Sequence, residues 1–328
     1  MKILFCGESF PEARRQLEAL LPYDEILAFP PEKIGPHIAE ADVVVPLVTR
    51  VDKTFIRQGT FGLIQQFGVG LESVDIEAAT RHGVRVARIP SEESGNAASV
   101  AEHAILLMLL LSRKWNAITA ARREGTHIPW GSPAGQALQG KTVCVVGLGG
   151  VGRELVRRLA GFRVRIITVD EHPGRIVPGI EISRSCSLAE LPESLADADY
   201  VVICINYTPD RFHLIGEKEI DLMKPGVFLV NVARGGLLDQ DALLKALRSG
   251  HVAGAGLDVY WEEPVDMNHP LFSENVIATP HIAGVTDVSY EGIARTFAEN
   301  MRRYASGETP LYLANTPASP RATKPRTK

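Results

Sequence analysis

The chain has 328 residues, 45% hydrophobic and 23% charged, which is long for one core and right for two soluble domains with a cleft between them. A formal net charge of −4 and a pI near 6.2 give no general attraction to nucleic acid or acidic membranes, so the expected partner is a small molecule. The four cysteines, Cys6, Cys144, Cys186 and Cys204, show neither disulfide nor zinc spacing; no metal site is expected, and a reducing cytoplasm is the predicted compartment.

The N-terminus opens on a strand-like run with Glu8 close behind, unlike a secretory signal. Apolar runs at residues 3–5, 43–48 and 62–67 read as strands separated by amphipathic segments, the pattern of a parallel α/β sheet. A helical stretch is predicted from Asn96 to about Arg123. Its block 104–111 is apolar on all faces, as for a helix wedged between domains, and is far shorter than the roughly 18 residues that span a bilayer.

After a polar stretch at 125–140, a compact strand at 143–146 begins a second α/β unit. Further strands are predicted at 164–169, 200–205, 227–230, 255–259 and 276–278, six in all, enough for a doubly wound sheet. A last helix over about 288–303 is expected to return the chain to the first domain. The basic, proline-containing tail beyond Pro310 has few large apolar groups and is expected to be disordered.

Gly147-Leu148-Gly149-Gly150-Val151-Gly152 is a GxGxxG match, and glycines alone would fit any tight turn. Here the match follows a strand, opens a helix at Arg153, and is followed 18 residues after Gly152 by Asp170 at the next strand end. That context is the dinucleotide fingerprint: the turn brings backbone N–H groups to a pyrophosphate, and the carboxylate accepts from ribose hydroxyls. Asp170 would repel a 2′-phosphate, which favours NAD; Arg175 nearby keeps NADP open.

Ligands of open α/β sheets bind at the carboxyl ends of strands. Those ends read Gly147, Asp170, Asn206 with Tyr207, Asn231 to Arg234, Asp258 and His281. Hydride transfer between a carbonyl and an alcohol needs a proton donor, which histidine suits, a carboxylate to hold the ring, and a cation for the substrate carboxylate, which the arginine fork suits.

These blocks, with 230–236, 256–264 (Gly256 to Pro264) and 280–284, resemble the D-isomer-specific 2-hydroxyacid dehydrogenase family over about residues 3–304. The resemblance implies two doubly wound parallel-sheet α/β domains: a discontinuous flavodoxin-like substrate domain at 1–98 and 287–312, and a Rossmann NAD-binding domain at 99–286, with 313–328 left as the tail. It implies Arg234 as the substrate-binding cation, Glu263 as the carboxylate partner and His281 as acid/base. Glu262 is chemically identical, but the family pattern places the functional glutamate directly before proline.

It further implies that NAD is bound by Gly147, Gly149, Gly150, Val151, Gly152, Asp170, Asn206, Thr208, Val232, Ala233, Arg234, Asp258, His281 and Gly284, with Asp258 on the nicotinamide amide. Substrate contacts are implied for Val69, Gly70, Arg234 and His281. The expected reaction interconverts a small D-2-hydroxy acid and its 2-keto acid, in a homodimer formed through the long helix. The alternatives are an NAD-sensing corepressor-like protein and a dehydrogenase of another small anion, formate or phosphite. The loops 71–75 and 90–95 and the turn at Asn206 depart from the family pattern, and Arg50 is the single cation of the 46–50 strand end. A phosphorylated substrate is therefore not favoured.

Overall fold

Short runs of β-branched and other apolar residues bounded by turns form parallel strands in the computed structural model, which describes residues 1–322. Two compact units result: Met1–Asn96 with the chain from Thr286 onward, and Ala97–Val285. The longer helices are α1 (Pro11–Leu20), α2 (Asn96–Ser112), α3 (Trp115–Arg123), α4 (Gly150–Leu159), α5 (Gln240–Ser249) and α6 (Asp287–Ala305).

The first unit holds β1 (Lys2–Phe5), β2 (Glu25–Ala28), β3 (Val43–Val45), β4 (Leu63–Gln65) and β5 (Arg85–Ala87), all parallel in the flavodoxin-like order β2-β1-β3-β4-β5. The run at 43–48 stops pairing at Val45, because Pro46 has no N–H to donate and Leu47 turns into the left-handed region at φ 56°. β2 and β5 stand at the two ends of the strand order, and their apolar runs in sequence are short. Leu17 of α1 and Phe297, Met301 and Tyr304 of α6 share one core with Ile3, Phe5 and Val43.

The tail corrects the expectation of disorder as far as Ala322; residues 323–328 lie outside the described residues. Leu313 bridges Ala87 antiparallel, and Ala314 N–H donates to Val86 O at 2.7 Å. The Asn315 side chain accepts from Val86 N–H at 2.7 Å and donates to Val84 O, and the Arg321 guanidinium donates to the carbonyls of Gly59, Phe61 and His82. Composition misleads here because most of the anchoring is polar, from Ala314 and Asn315 on the backbone of β5 and from Arg321 on the carbonyls of Gly59, Phe61 and His82, with Leu313 alone adding a large side chain to the core.

The second unit holds β6 (Thr142–Val146), β7 (Arg165–Val169), β8 (Arg184–Cys186), β9 (Tyr200–Ile203), β10 (Val227–Asn231), β11 (Val252–Leu257) and β12 (Val276–Ala278). Its order, β12-β11-β10-β9-β6-β7-β8, is the doubly wound Rossmann order with an extra strand at one end. Seven strands replace the six predicted, because β8, Arg-Ser-Cys, is a polar edge strand without an apolar run. Successive β6 residues feed opposite cores: Val143 and Val145 pack with α2 and α4, and Cys144 and Val146 with the core that holds α5.

The predicted single helix to Arg123 is broken. Lys114 takes left-handed φ 54°, and α3 leaves α2 at 65°. Ala101, Ala104, Leu107 and Met108 of α2 pack on the seven-stranded sheet, while Leu106 is exposed. Among the described residues no single helix is long and apolar enough to cross a membrane.

Candidate active site

Three adjacent strand ends of the second unit build the site. After β10, the buried Asn231 side chain accepts from Ala233 N–H at 3.0 Å and donates to Arg234 O at 2.9 Å, which fixes the turn that presents Arg234. The next residue has to be glycine: a Cβ on Gly235 would stand 2.0 Å from the Tyr260 carbonyl. That close approach sets the Arg234 turn against the segment after β11, where Glu263 Oε1 accepts from Tyr260 N–H at 3.0 Å.

Beyond β12, His281 Nδ1 lies 2.7 Å from Glu263 Oε2. Glu262 and Glu263 are both exposed, and it is Glu263 that reaches the ring. Burial alone would raise the Glu263 carboxyl, but the hydrogen bond and charge of His281, the Tyr260 N–H and the Arg234 charge outweigh it and hold the group below its usual range. The site therefore carries an ionised carboxylate on one ring nitrogen of a half-exposed histidine, with a guanidinium close by. His281 itself has φ 55°, an uncommon conformation for a non-glycine residue that the surrounding bonds maintain.

Those bonds centre on Asp258. Its side chain is almost fully buried, and its oxygens accept from Ile282 N–H at 2.9 Å, Ala283 N–H at 3.0 Å and the Thr279 hydroxyl at 2.7 Å. Its own carbonyl accepts from His281 N–H at 2.8 Å. In this structure Asp258 is thus the internal anchor of the His281 turn.

The glycine loop follows β6. Gly147 has φ 101°, and a Cβ on Gly152 would stand 2.0 Å from Gly147 O, whereas a Cβ on Gly149 would meet nothing within 4 Å. Close packing at two glycines and open space at the third, ahead of the α4 N-terminus, form a cradle for an anionic group. Asp170 closes its side: Oδ2 accepts from Leu148 N–H at 2.7 Å, and Oδ1 accepts from His172 N–H at 2.9 Å. Arg175 lies 3.3 Å from the same Asp170 oxygen, so the cation is engaged by the carboxylate.

Residues 105–283 match the model of the D-isomer specific 2-hydroxyacid dehydrogenase NAD-binding domain. A glyoxylate reductase of Thermococcus litoralis is 35% identical over 287 residues, 85% of either chain. The chain belongs to this family. A D-3-phosphoglycerate dehydrogenase of Mycobacterium bovis is 36% identical over 84% of this chain and 52% of its own longer one. The D-lactate dehydrogenase of Escherichia coli, in its apo structure, superposes with a TM-score of 0.83 at 26% identity, covering 96% of this chain and 100% of that one.

The 2-hydroxyacid dehydrogenase described here is an NAD-dependent oxidoreductase. Its loop fits the dinucleotide: the cradle is open where a side chain at Gly149 would block it, and Thr208 Oγ1, after β9, is buried with no hydrogen-bond partner among the described residues. Asn206 is exposed on the same turn, Val232 is buried, Ala233 is half-buried beside Arg234, and Gly284 follows Ala283 in the His281 turn. Gly150 and Val151 open α4.

Val69 and Gly70 belong to the first unit, after β4. There the buried Gln66 side-chain amide donates to Gly70 O at 2.6 Å and Leu47 O at 2.9 Å, tying two strand ends together. Sequence reasoning missed the supporting residues. Asn231 stood in view only as one polar residue at a strand end, and Gln66 not at all. His103 lies 2.9 Å from Thr279 Oγ1. A polar residue beside the apolar block of α2 was its only signal.

Proposed function

We propose that this enzyme interconverts a small, unphosphorylated 2-keto acid and its D-2-hydroxy acid, with His281 as acid/base, Glu263 as its carboxylate partner and Arg234 binding the substrate carboxylate. The observation that carries the reading is the 2.7 Å contact between His281 Nδ1 and Glu263 Oε2, beside the charge of Arg234. With Nδ1 held by the carboxylate, Nε2 is the nitrogen that exchanges a proton with the substrate oxygen, and the carboxylate stabilises the imidazolium needed for reduction. The planar guanidinium of Arg234 orients the substrate by gripping its carboxylate at two oxygens.

Bound NAD supplies or accepts the hydride at the 2-carbon. The residues that would hold it are Gly147, Gly149, Gly150, Val151 and Gly152 at the pyrophosphate and Asp170 at the adenosine ribose. Asn206, Thr208, Val232 and Ala233 would line its length, with Asp258 and Gly284 at the nicotinamide end. Val69 and Gly70 would offer backbone N–H groups to the substrate carboxylate. The engaged state of Arg175 supports NAD over its 2′-phosphate form. The same reading takes the enzyme as a homodimer in a reducing cytoplasm; exposed Trp115 and Trp130 on and after α3 and four free cysteines support it.

The test is NADH oxidation with glyoxylate, hydroxypyruvate, pyruvate and 3-phosphohydroxypyruvate, for the wild type and His281→Ala. Turnover is expected with the short unphosphorylated acids, and the variant should lose about 10²–10⁴-fold in kcat while NADH binding, read by fluorescence, persists. An unaffected variant would remove His281 from the acid/base role, and a preference for the phosphorylated acid would overturn the substrate class.

A further inference from the structure

Among the described residues, His103 is the one histidine that reaches the anchor of the His281 turn from another element. It sits on α2, mostly buried, with Nε2 2.9 Å from Thr279 Oγ1; that hydroxyl lies 2.7 Å from Asp258 Oδ1. An ionised carboxylate only accepts, so the Thr279 hydrogen goes to Asp258, and the Thr279 oxygen accepts from His103. The relay is therefore directional, Nε2–H of His103 to Thr279 to Asp258, and it fixes the ring tautomer. Burial pushes the ring toward its neutral form against the pull of Asp258, in keeping with a donor that keeps its hydrogen on Nε2.

The far end of the relay matters for chemistry. Asp258 holds Ile282 N–H and Ala283 N–H, and His281 N–H donates to the carbonyls of both Asp258 and Thr279. Tyr260 adds a hydroxyl on Thr279 O at 2.9 Å. Thr279 and Asp258 thus bracket a histidine whose backbone is in the left-handed region, and both need their polar groups satisfied to stay there.

We propose that His103 is a positioning residue of this dehydrogenase: by donating to Thr279 it fixes the Thr279–Asp258 pair and, through that pair, the placement of His281. This rests on the acid/base reading of His281 given above. Small displacements of a proton donor are expensive, with about 10²-fold lost for roughly 1 Å. Substrate grip belongs to Arg234, on a different turn, so the effect should fall on kcat and leave KM in place.

The experiment compares His103→Ala, His103→Gln, Thr279→Val and the His103→Ala/Thr279→Val double variant of the full chain. Alanine at 103 should lower kcat about 10–100-fold, with keto-acid KM within about threefold. Glutamine, whose amide can donate in place of Nε2–H, should restore most of kcat; Thr279→Val should match the alanine variant, and the double variant should be no worse. A wild-type kcat in His103→Ala, a loss not relieved by glutamine, a rise in KM in place of a fall in kcat, or additive losses would overturn the proposal. His281→Ala, assayed alongside, separates the two readings: if it keeps turnover, the acid/base assignment fails whatever His103 does.

Discussion

In the seven-stranded unit, the ends of β10, β11 and β12 carry Arg234, Asp258 and His281 on turns held by the side chains of Asn231 and Asp258. In the five-stranded unit, the ends of β3 and β4 carry Leu47, Val69 and Gly70 on turns held by the neutral amide of Gln66. Both sheets use a buried polar side chain to fix a strand-end turn. One presents charged and titratable groups and the other presents backbone and apolar groups, the division that the proposed roles of Arg234 and His281 on one side and of Val69 and Gly70 on the other would use.

A second contrast lies away from the strand ends. The edge strand β5 of the five-stranded unit is covered by the C-terminal segment through Leu313, Ala314 and Asn315, and Arg321 ties the same segment to the carbonyls of Gly59 and Phe61 ahead of β4. Inside the same unit, buried Asn300 of α6 donates to Gln65 of β4 at 2.7 Å and pairs with the backbone of Leu311. Polar side chains there tie the C-terminal segment and α6 to the sheet; in the other unit they fix the turns that carry Arg234 and His281.

Substitutions at the two places should separate in the same way. Arg234→Lys keeps the charge but loses the planar fork, and a charge-assisted hydrogen bond is worth about 1.5–3 kcal/mol, so kcat/KM for a keto acid should fall on the order of 100-fold with little change in melting temperature. An unchanged kcat/KM would remove the arginine from the substrate and blur the contrast.

Glu263→Gln should lower kcat about tenfold, because the ring loses the charge that favours its protonated form but keeps a hydrogen-bond partner. It also has a pH signature. The folded chain holds the Glu263 carboxyl below its ordinary value of 4.5, so this group adds stability above that pH and loses it as pH falls through the lower folded value. Denaturant melts between neutral and acid pH should show a shallower acid-side loss in Glu263→Gln than in wild type; equal slopes would mean that the pair is not formed in solution.

Arg321→Ala should do the opposite of both: leave kcat within about twofold and reduce stability by about 1–3 kcal/mol, since it removes a charged donor from three backbone carbonyls. Denaturant unfolding measures it. A silent variant would show that the segment covering β5 contributes no cohesion to the unit.

Sequence by itself determined what depends on neighbours along the chain. Strand runs, the GxGxxG turn with Asp170 18 residues on, and polar residues at strand ends are local patterns that backbone geometry imposes, and they were enough for the parallel α/β class, the dinucleotide cradle and the positions of Arg234 and His281. Strands β2, β5 and β8 were not readable, because each is three or four residues long, opens on a charged residue and leaves too short an apolar run to stand out.

Tertiary structure alone decided what depends on residues far apart in the chain. The family pattern singles out Glu263 by its place before proline, but only the fold sets its carboxylate on His281, with Tyr260 N–H on the other oxygen. The fold carries His103 across 176 positions to Thr279, and it lays a basic, apolar-poor tail along β5 by hydrogen bonds that composition does not record. Burial and directional bonding at long separation carry no periodicity, and only the folded chain displays them.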